Sequence, residues 1–121
     1  MANEITYSFN ILLKNGNLND QFASSSKTAD QSAANLIRNV QNIGTTEEAL
    51  ALGDVATPGF AVFQNLDGTN FVEVGSYVAG TFYPFLKLKP GEMQMVRIGV
   101  AAPYAKADMA AIDLFYIIYN D

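Results

Sequence analysis

The stretch from Thr57 to Arg97, TPGFAVFQNLDGTNFVEVGSYVAGTFYPFLKLKPGEMQMVR, constrains the fold more than any other part of the chain. Its apolar residues recur every second position, the spacing of a strand whose side chains alternate between two faces, and its interruptions are residues that reverse a backbone. Phe60-Ala-Val-Phe63 is a short apolar run ended by Asn65-Leu-Asp-Gly-Thr-Asn70. A reversal is predicted there, because Asn, Asp and Gly accept positive φ or fold onto their own backbone. In Phe71-Val-Glu-Val-Gly75, Val72 and Val74 take one face and Glu73 the other. Leu86-Lys-Leu-Lys89 alternates again and Pro90-Gly91 turns the chain. Val96, Ile98 and Val100 then share one face of a strand from Met93 to Val100.

The flanks repeat the pattern. Ile5, Tyr7, Phe9, Ile11 and Leu13 alternate with Thr6, Ser8, Asn10, Leu12 and Lys14, which predicts one long first strand. Asn15-Gly16 then suits a type I′ hairpin turn, whose two central positions both need positive φ. The chain is expected to return through Leu18 to Thr28. Residues 18–35 offer only Leu18 and Phe22 as sizeable anchors, and read either as a polar edge strand or as an arm that orders on assembly. Leu36, Ile37, Val40 and Ile43 fit a strand with a bulge or one and a half helical turns, and Asn35 to Ile43 reads as a strand because its neighbours are Asn-rich and Gly44 follows. Thr45 to Leu52 does too, with a helical turn capped by Thr45 and Glu48 as the alternative. The small-residue run from Ala101 to Ala110 has room for one helical turn. Ile112 to Tyr119 is apolar on both faces and so predicts a strand covered on two sides, inside a sandwich or by a neighbouring subunit. About eight to nine strands in 121 residues predict an all-β, antiparallel sandwich or jelly-roll-like barrel, a single domain over residues 1–121.

Composition narrows the chemistry. Cysteine and histidine are both absent, which removes disulfides, thiolate nucleophiles, imidazole bases and the commonest transition-metal ligands together. Twelve acidic against seven basic residues leave a net charge of −5, with no basic cluster, so direct nucleic-acid contact is not expected. No apolar run reaches the roughly 20 residues that span a bilayer, and MANEITYSF lacks the layout of a signal peptide, which predicts synthesis in a cytoplasm. Only 16% of residues are charged, against about 25% in an average globular domain. That depletion fits a surface partly covered by partners, or a small all-β domain rich in Ser, Thr, Asn and Gln.

Without His or Cys, catalysis would rest on carboxylates, Lys or Tyr. Glu47 and Glu48 are adjacent and point to opposite faces of a strand, so they do not form a carboxylate pair. Glu73 and Glu92 are the remaining pair, at a separation that sequence does not reveal. Asp67-Gly-Thr-Asn70 shares the opening of a calcium loop but not its distal bidentate Glu, and reads as an Asx turn. Lys87 and Lys89 read as charges that protect an exposed strand from edge pairing, or that meet an acidic neighbour. No catalytic residue, metal ligand or cofactor is assigned, and the chain is not expected to be an enzyme. The candidate interface residues are Phe71, Tyr77, Phe82, Tyr83, Phe85, Phe115, Ile117 and Tyr119.

The run IGTTEEALALGDVATPGFAVFQNLDGTNFVEVG, followed by FLKLKPGEMQMVRI, resembles small virion-associated proteins encoded by bacteriophages. The resemblance covers roughly Ile43 to Ile98. Its most specific pieces are Thr45-Thr-Glu-Glu-Ala-Leu50, Asn65 to Gly75 and Leu86 to Glu92. It implies a small β-sandwich that docks on a capsid or tail surface as a decoration, cement or minor head or tail component. The implied partners are copies of itself, with a trimer as first expectation, and a major capsid or other virion protein; the location is the virion, after synthesis in the host cytoplasm. The competing expectation is a module that binds carbohydrate or a host receptor, its aromatics Phe71, Tyr77, Phe82, Tyr83 and Phe85 stacking on sugar faces.

Overall fold

The computed structural model describes residues 2–121, and every regular element among them is a strand. They fall into two compact units, residues 2–32 and residues 33–121.

The first unit is a broken ribbon of β1 (Ile5–Tyr7), β2 (Asn10–Asn15), β3 (Leu18–Ala23) and β4 (Lys27–Ala29). β2 pairs with β3 and β1 with β4, all antiparallel. The expected single first strand is therefore interrupted at Ser8 and Phe9. There the Phe9 amide donates to the Ser24 hydroxyl (2.8 Å), and the Ser24 amide donates to the Phe9 carbonyl (2.8 Å). The hairpin closes where expected but through a different turn. Asn15 is still in the ladder opposite Leu18, so the loop is Gly16-Asn17, and only Gly16 has positive φ, at 58°. A turn that needs the left-handed region only at its first central position is type II′, not I′.

The second unit is a sandwich of eight strands: β5 (Leu36–Ile43), β6 (Glu48–Ala49), β7 (Pro58–Asn65), β8 (Val72–Val78), β9 (Thr81–Leu88), β10 (Met93–Arg97), β11 (Tyr104–Ala107) and β12 (Ile112–Asn120). One sheet has the order β10-β7-β12-β5 and the other β6-β11-β8-β9. Only β8 and β9 are joined as a hairpin, and every other link crosses between the sheets, which is jelly-roll connectivity. Ile43, Ala61, Phe63, Ile112, Leu114, Tyr116 and Ile118 from the first sheet meet Val72, Val74, Leu88, Ala105 and Ala107 from the second in one buried cluster.

Among the described residues the strand count rises from the expected eight or nine to twelve. Thr45 to Leu52, read as a strand, remains one but shrinks to Glu48–Ala49. The rise has two local sources. The N-terminal ribbon is cut into four short strands. The Ala-rich connection holds the strand β11 instead of a helical turn, because Ala105 and Ala107 alternate inward with Tyr104 and Lys106 and their small side chains suit the crowded core. The strand expected over Asn35 to Ile43 is present as β5, regular and without a bulge in its pairing with β12. Its inward residues are Ile37, Asn39, Gln41 and Ile43, so Leu36 and Val40 point away from the core.

Side-chain hydrogen bonds fix the corners. Asn65 is fully buried; its amide donates to the Asn70 carbonyl (2.8 Å) and the Leu88 carbonyl (3.2 Å), and its side-chain oxygen accepts from the Asp67 amide (2.9 Å). One residue thus ties the end of β7 to β9 in the opposite sheet. Pro90-Gly91 forms the expected turn, with the Glu92 amide donating to the Lys89 carbonyl (3.0 Å) and Gly91 at φ 79°. In β8, Gly75 lies so close to β9 that a Cβ there would sit 2.1 Å from the Tyr83 carbonyl oxygen. The register shifts at this point, Val74 facing Leu86 and Gly75 facing Pro84, which leaves Phe85 as the extra residue of a bulge.

Candidate functional site

The doubly apolar character of β12 resolves into two environments. Ile112, Leu114, Tyr116 and Ile118 are in the core, while Phe115, Ile117 and Tyr119 alternate onto the opposite, outer face of the β10-β7-β12-β5 sheet. The register shows what lies beside them. Phe115 is flanked by Gln64 and Val40, and Met93 follows Gln64; Ile117 is flanked by Val62 and Arg38, and Met95 follows Val62; Tyr119 faces Leu36. At the far edge, Arg97 pairs with Phe60 in the ladder and holds its guanidinium 4.3 Å above that ring.

This face is therefore mostly apolar across all four strands. Val40 is 52% exposed and Met93 56% exposed, while Ile117, near the middle of the face, is 9% exposed. Its charges lie at the margins. Arg97 forms an ion pair with Asp121, and Asp113 accepts a hydrogen bond from Asn42 (3.1 Å). Arg38, on the edge strand between Leu36 and Val40, has no ion-pair partner among the described residues.

The outer face of the second sheet is different. Its central row is Lys106, Glu73, Lys87, in register across β11, β8 and β9. Lys87 caps the Phe71 ring at 4.1 Å, and the Tyr77 ring stacks on Tyr104 at 4.9 Å, with Phe82 opposite Tyr77 in the ladder. Tyr83 and Phe85 are exposed toward the tip of the β8–β9 hairpin. Two groups of candidate interface residues thus separate: Phe115, Ile117 and Tyr119 on an apolar sheet face, and Phe71, Tyr77, Phe82, Tyr83 and Phe85 on a charged sheet and its hairpin.

Three of the carboxylates singled out in the sequence, Glu48, Glu92 and Asp67, have hydrogen-bond partners. Glu48 accepts from the Gln41 side chain (3.2 Å) and the Gly44 amide (3.4 Å), and Glu92 accepts from the Lys89 amide (2.8 Å). Asp67 accepts from the Thr69 amide (2.9 Å) and the Asn70 amide (2.6 Å), the Asx turn expected there, and these bonds, that to Asn70 foremost, hold its carboxyl below the usual value. Among the described residues no group of three or more acidic, His or Cys side chains gathers as metal ligands would. Nor do the described residues form a helix long and apolar enough to cross a membrane.

No protein-family model, curated protein or solved structure matches this chain. The geometry of its own surfaces is what speaks to function. The ribbon of the first unit adds a second unpartnered surface. Ile11 faces Phe22, Leu13 faces Asp20 and Asn15 faces Leu18, so these residues share one side; Asn10, Leu12, Lys14, Asn19, Gln21 and Ala23 share the other. The ribbon is amphipathic, and its apolar side is open: Ile11 is 60%, Leu18 59% and Phe22 54% exposed.

Sequence reasoning did not single out Phe60, Val62, Met93, Met95, Leu36 and Val40 as companions of Ile117, nor the ribbon residues as a surface. The signal was present in β7, whose Phe60-Ala-Val-Phe63 is apolar at consecutive positions, as a central strand covered on both faces must be.

Proposed function

We propose that this chain is a structural component of a bacteriophage virion, a decoration, cement or minor head or tail protein that acts by docking onto other proteins and not by catalysis. The observation that carries the reading is the outer face of the β10-β7-β12-β5 sheet. A monomer whose work is done alone rarely leaves a four-stranded sheet apolar on both sides. Full burial of a large apolar side chain contributes about 1.5–3 kcal/mol. Association costs roughly 4–15 kcal/mol in lost freedom, so partial burial of one or two residues achieves nothing, whereas a whole face desolvated at once offsets the cost. The jelly roll supplies a rigid plate for that face without disulfides, and jelly rolls recur in capsid subunits, though also in lectins. The resemblance over Ile43 to Ile98 agrees with the reading.

The partners in this reading are further copies of the chain and a major capsid or other virion protein, reached after synthesis in the host cytoplasm, with neither nucleic acid nor membrane contacted directly. Mass spectrometry of purified particles is the test: the expected result is this chain at a stoichiometry set by capsid or tail symmetry, its loss on Ile117→Arg substitution, and retention of the variant's fold by circular dichroism. Its absence from particles discards the reading.

A second reading has its own observation. The stacked Tyr77–Tyr104 pair beside Phe82 lies on the charged sheet, away from the apolar face, and offers aromatic surface to a sugar ring. Glycan binding that survives Ile117→Arg but is lost in Tyr77→Ala would favour a carbohydrate- or receptor-binding module.

A further inference from the structure

We infer that the β2–β3 ribbon of one chain lies across the outer face of the β10-β7-β12-β5 sheet of a second copy, in a reciprocal exchange in which every subunit gives a ribbon and receives one. The inference deepens the docking reading and rests on it, because it names the occupant of that sheet face.

Three properties of the two surfaces match. First, each is apolar and has no covering layer within its own unit. A two-stranded ribbon is at best marginally stable alone in water, and this one turns Ile11, Leu13, Leu18 and Phe22 to one side with nothing in its own unit to cover them. Laid on a sheet, it would leave its other side, with Asn10, Leu12, Lys14, Asn19 and Gln21, to solvent.

Second, the charges are complementary and each is solitary. Asp20 is the one ionisable residue on the apolar side of the ribbon, and Arg38 is the one cation of the sheet face without an acidic partner. Neither has an ion-pair partner among the described residues. Arg38 sits between Leu36 and Val40 on its edge strand, as Asp20 sits between Leu18 and Phe22 on β3, so the same apolar, charged, apolar order meets its opposite sign. An exposed pair of this kind adds little affinity but fixes register and orientation.

Third, the areas call for reciprocity. A ribbon of six-residue strands is about 20 Å long and, with side chains, about 15 Å wide. One ribbon on one sheet therefore covers on the order of 300 Å², well short of the roughly 800 Å² per partner of a stable interface. Giving and receiving raises the surface each subunit buries to about 600 Å², or roughly 1,200 Å² in total, the lower end of specific interfaces, which a closed ring or a two-fold dimer provides and an unreciprocated contact does not.

The chain contains no cysteine, so introduced thiols are its only ones. Asp20→Cys and Arg38→Cys variants of the full chain, mixed and treated with a short bis-maleimide, are expected to give a covalent dimer that neither variant forms alone, and sedimentation of the wild-type chain is expected to show a closed oligomer. Asp20→Arg and Arg38→Asp are each expected to weaken assembly at least about tenfold through like-charge juxtaposition, and the two mixed in equal amounts are expected to restore it. Both positions are exposed, so circular dichroism should be unchanged. A wild-type chain that stays monomeric at all concentrations, an oligomer in which the mixed thiols do not cross-link, or a double-thiol chain that closes only on itself overturns the inference. Each of those results leaves the virion reading standing, since that fails only if the chain is missing from particles; a monomeric chain still found in particles would mean that another virion protein occupies the face.

Discussion

Two polar side chains hold the sandwich corners, and each is sensitive in its own way. Asn65 satisfies three backbone groups from inside the core. Replacing it with Ala leaves the buried Leu88 carbonyl, and the part-buried Asn70 carbonyl and Asp67 amide, without this partner, and a buried unsatisfied group costs about 1–3 kcal/mol. Urea unfolding of Asn65→Ala is expected to show a loss of roughly 2–4 kcal/mol with an unchanged m-value. Asp67 acts through its charge. Amide donors from Asn70 and Thr69 hold its carboxyl below the ordinary value of 3.8. A depressed carboxyl contributes stability above its unfolded pKa, and the contribution disappears as pH falls through the lower, folded value. The stability difference between wild type and Asp67→Ala is therefore expected to be constant near neutrality and to shrink as pH is taken from about 5 to about 2, read from urea midpoints across that range.

Among the elements, β5 shows most plainly how a neighbour overrides a hydrophobic pattern. Its core-facing side holds Asn39 and Gln41, and what makes that tolerable is the Tyr116 hydroxyl from β12. That hydroxyl donates to the Ala51 carbonyl (2.7 Å), has the Gln41 side-chain oxygen at 3.0 Å, and accepts from the Asn39 amide (3.1 Å). Burial pushes the phenol pKa up, so the stability held by the neutral hydroxyl is lost only as pH rises through that raised value. The β8–β9 hairpin carries the opposite lesson, a local cost left in place. Its two-residue turn, between the paired Val78 and Thr81, has Ala79 at φ 52° and Gly80 at φ 81°. Both residues are left-handed, the type I′ arrangement that Asn15-Gly16 was expected to adopt, and Ala pays about 1 kcal/mol there where Asn is better tolerated. Ala79→Asn is expected to raise stability by about 0.5–1 kcal/mol, visible as a higher urea midpoint.

At the scale of the molecule, the core belongs to one unit. Every member of the buried cluster lies between Ile43 and Ile118, so a chain lacking residues 1–32 is expected to keep its β spectrum and melt within about 5 °C of the full chain, a shift worth about 1 kcal/mol or less. Its assembly is expected to fail, which sedimentation would show. Local pattern placed β8 and β10 by alternation and β7 and β12 by continuous apolar runs, together with the turns at Asn65–Asn70 and Pro90-Gly91. It did so because a strand with one side in the core must repeat every second residue, and because Asp67 and Gly91 act on their immediate neighbours. β6, β11 and the inward side of β5 were not legible, since a two-residue strand, a run of alanines and a polar core face make sense only beside the strands they pair with. The candidate surface was half legible. Phe115, Ile117 and Tyr119 announced a second covered face of β12, but Phe60, Val62, Met93 and Met95 joined them only when strands distant in sequence were set side by side. Local periodicity, then, determined that this chain is built of strands and roughly where they lie. Which strands share a sheet, and so which apolar residues form one continuous surface, was decided by the crossings between sheets, because those contacts link residues too far apart along the chain for any short-range pattern to record.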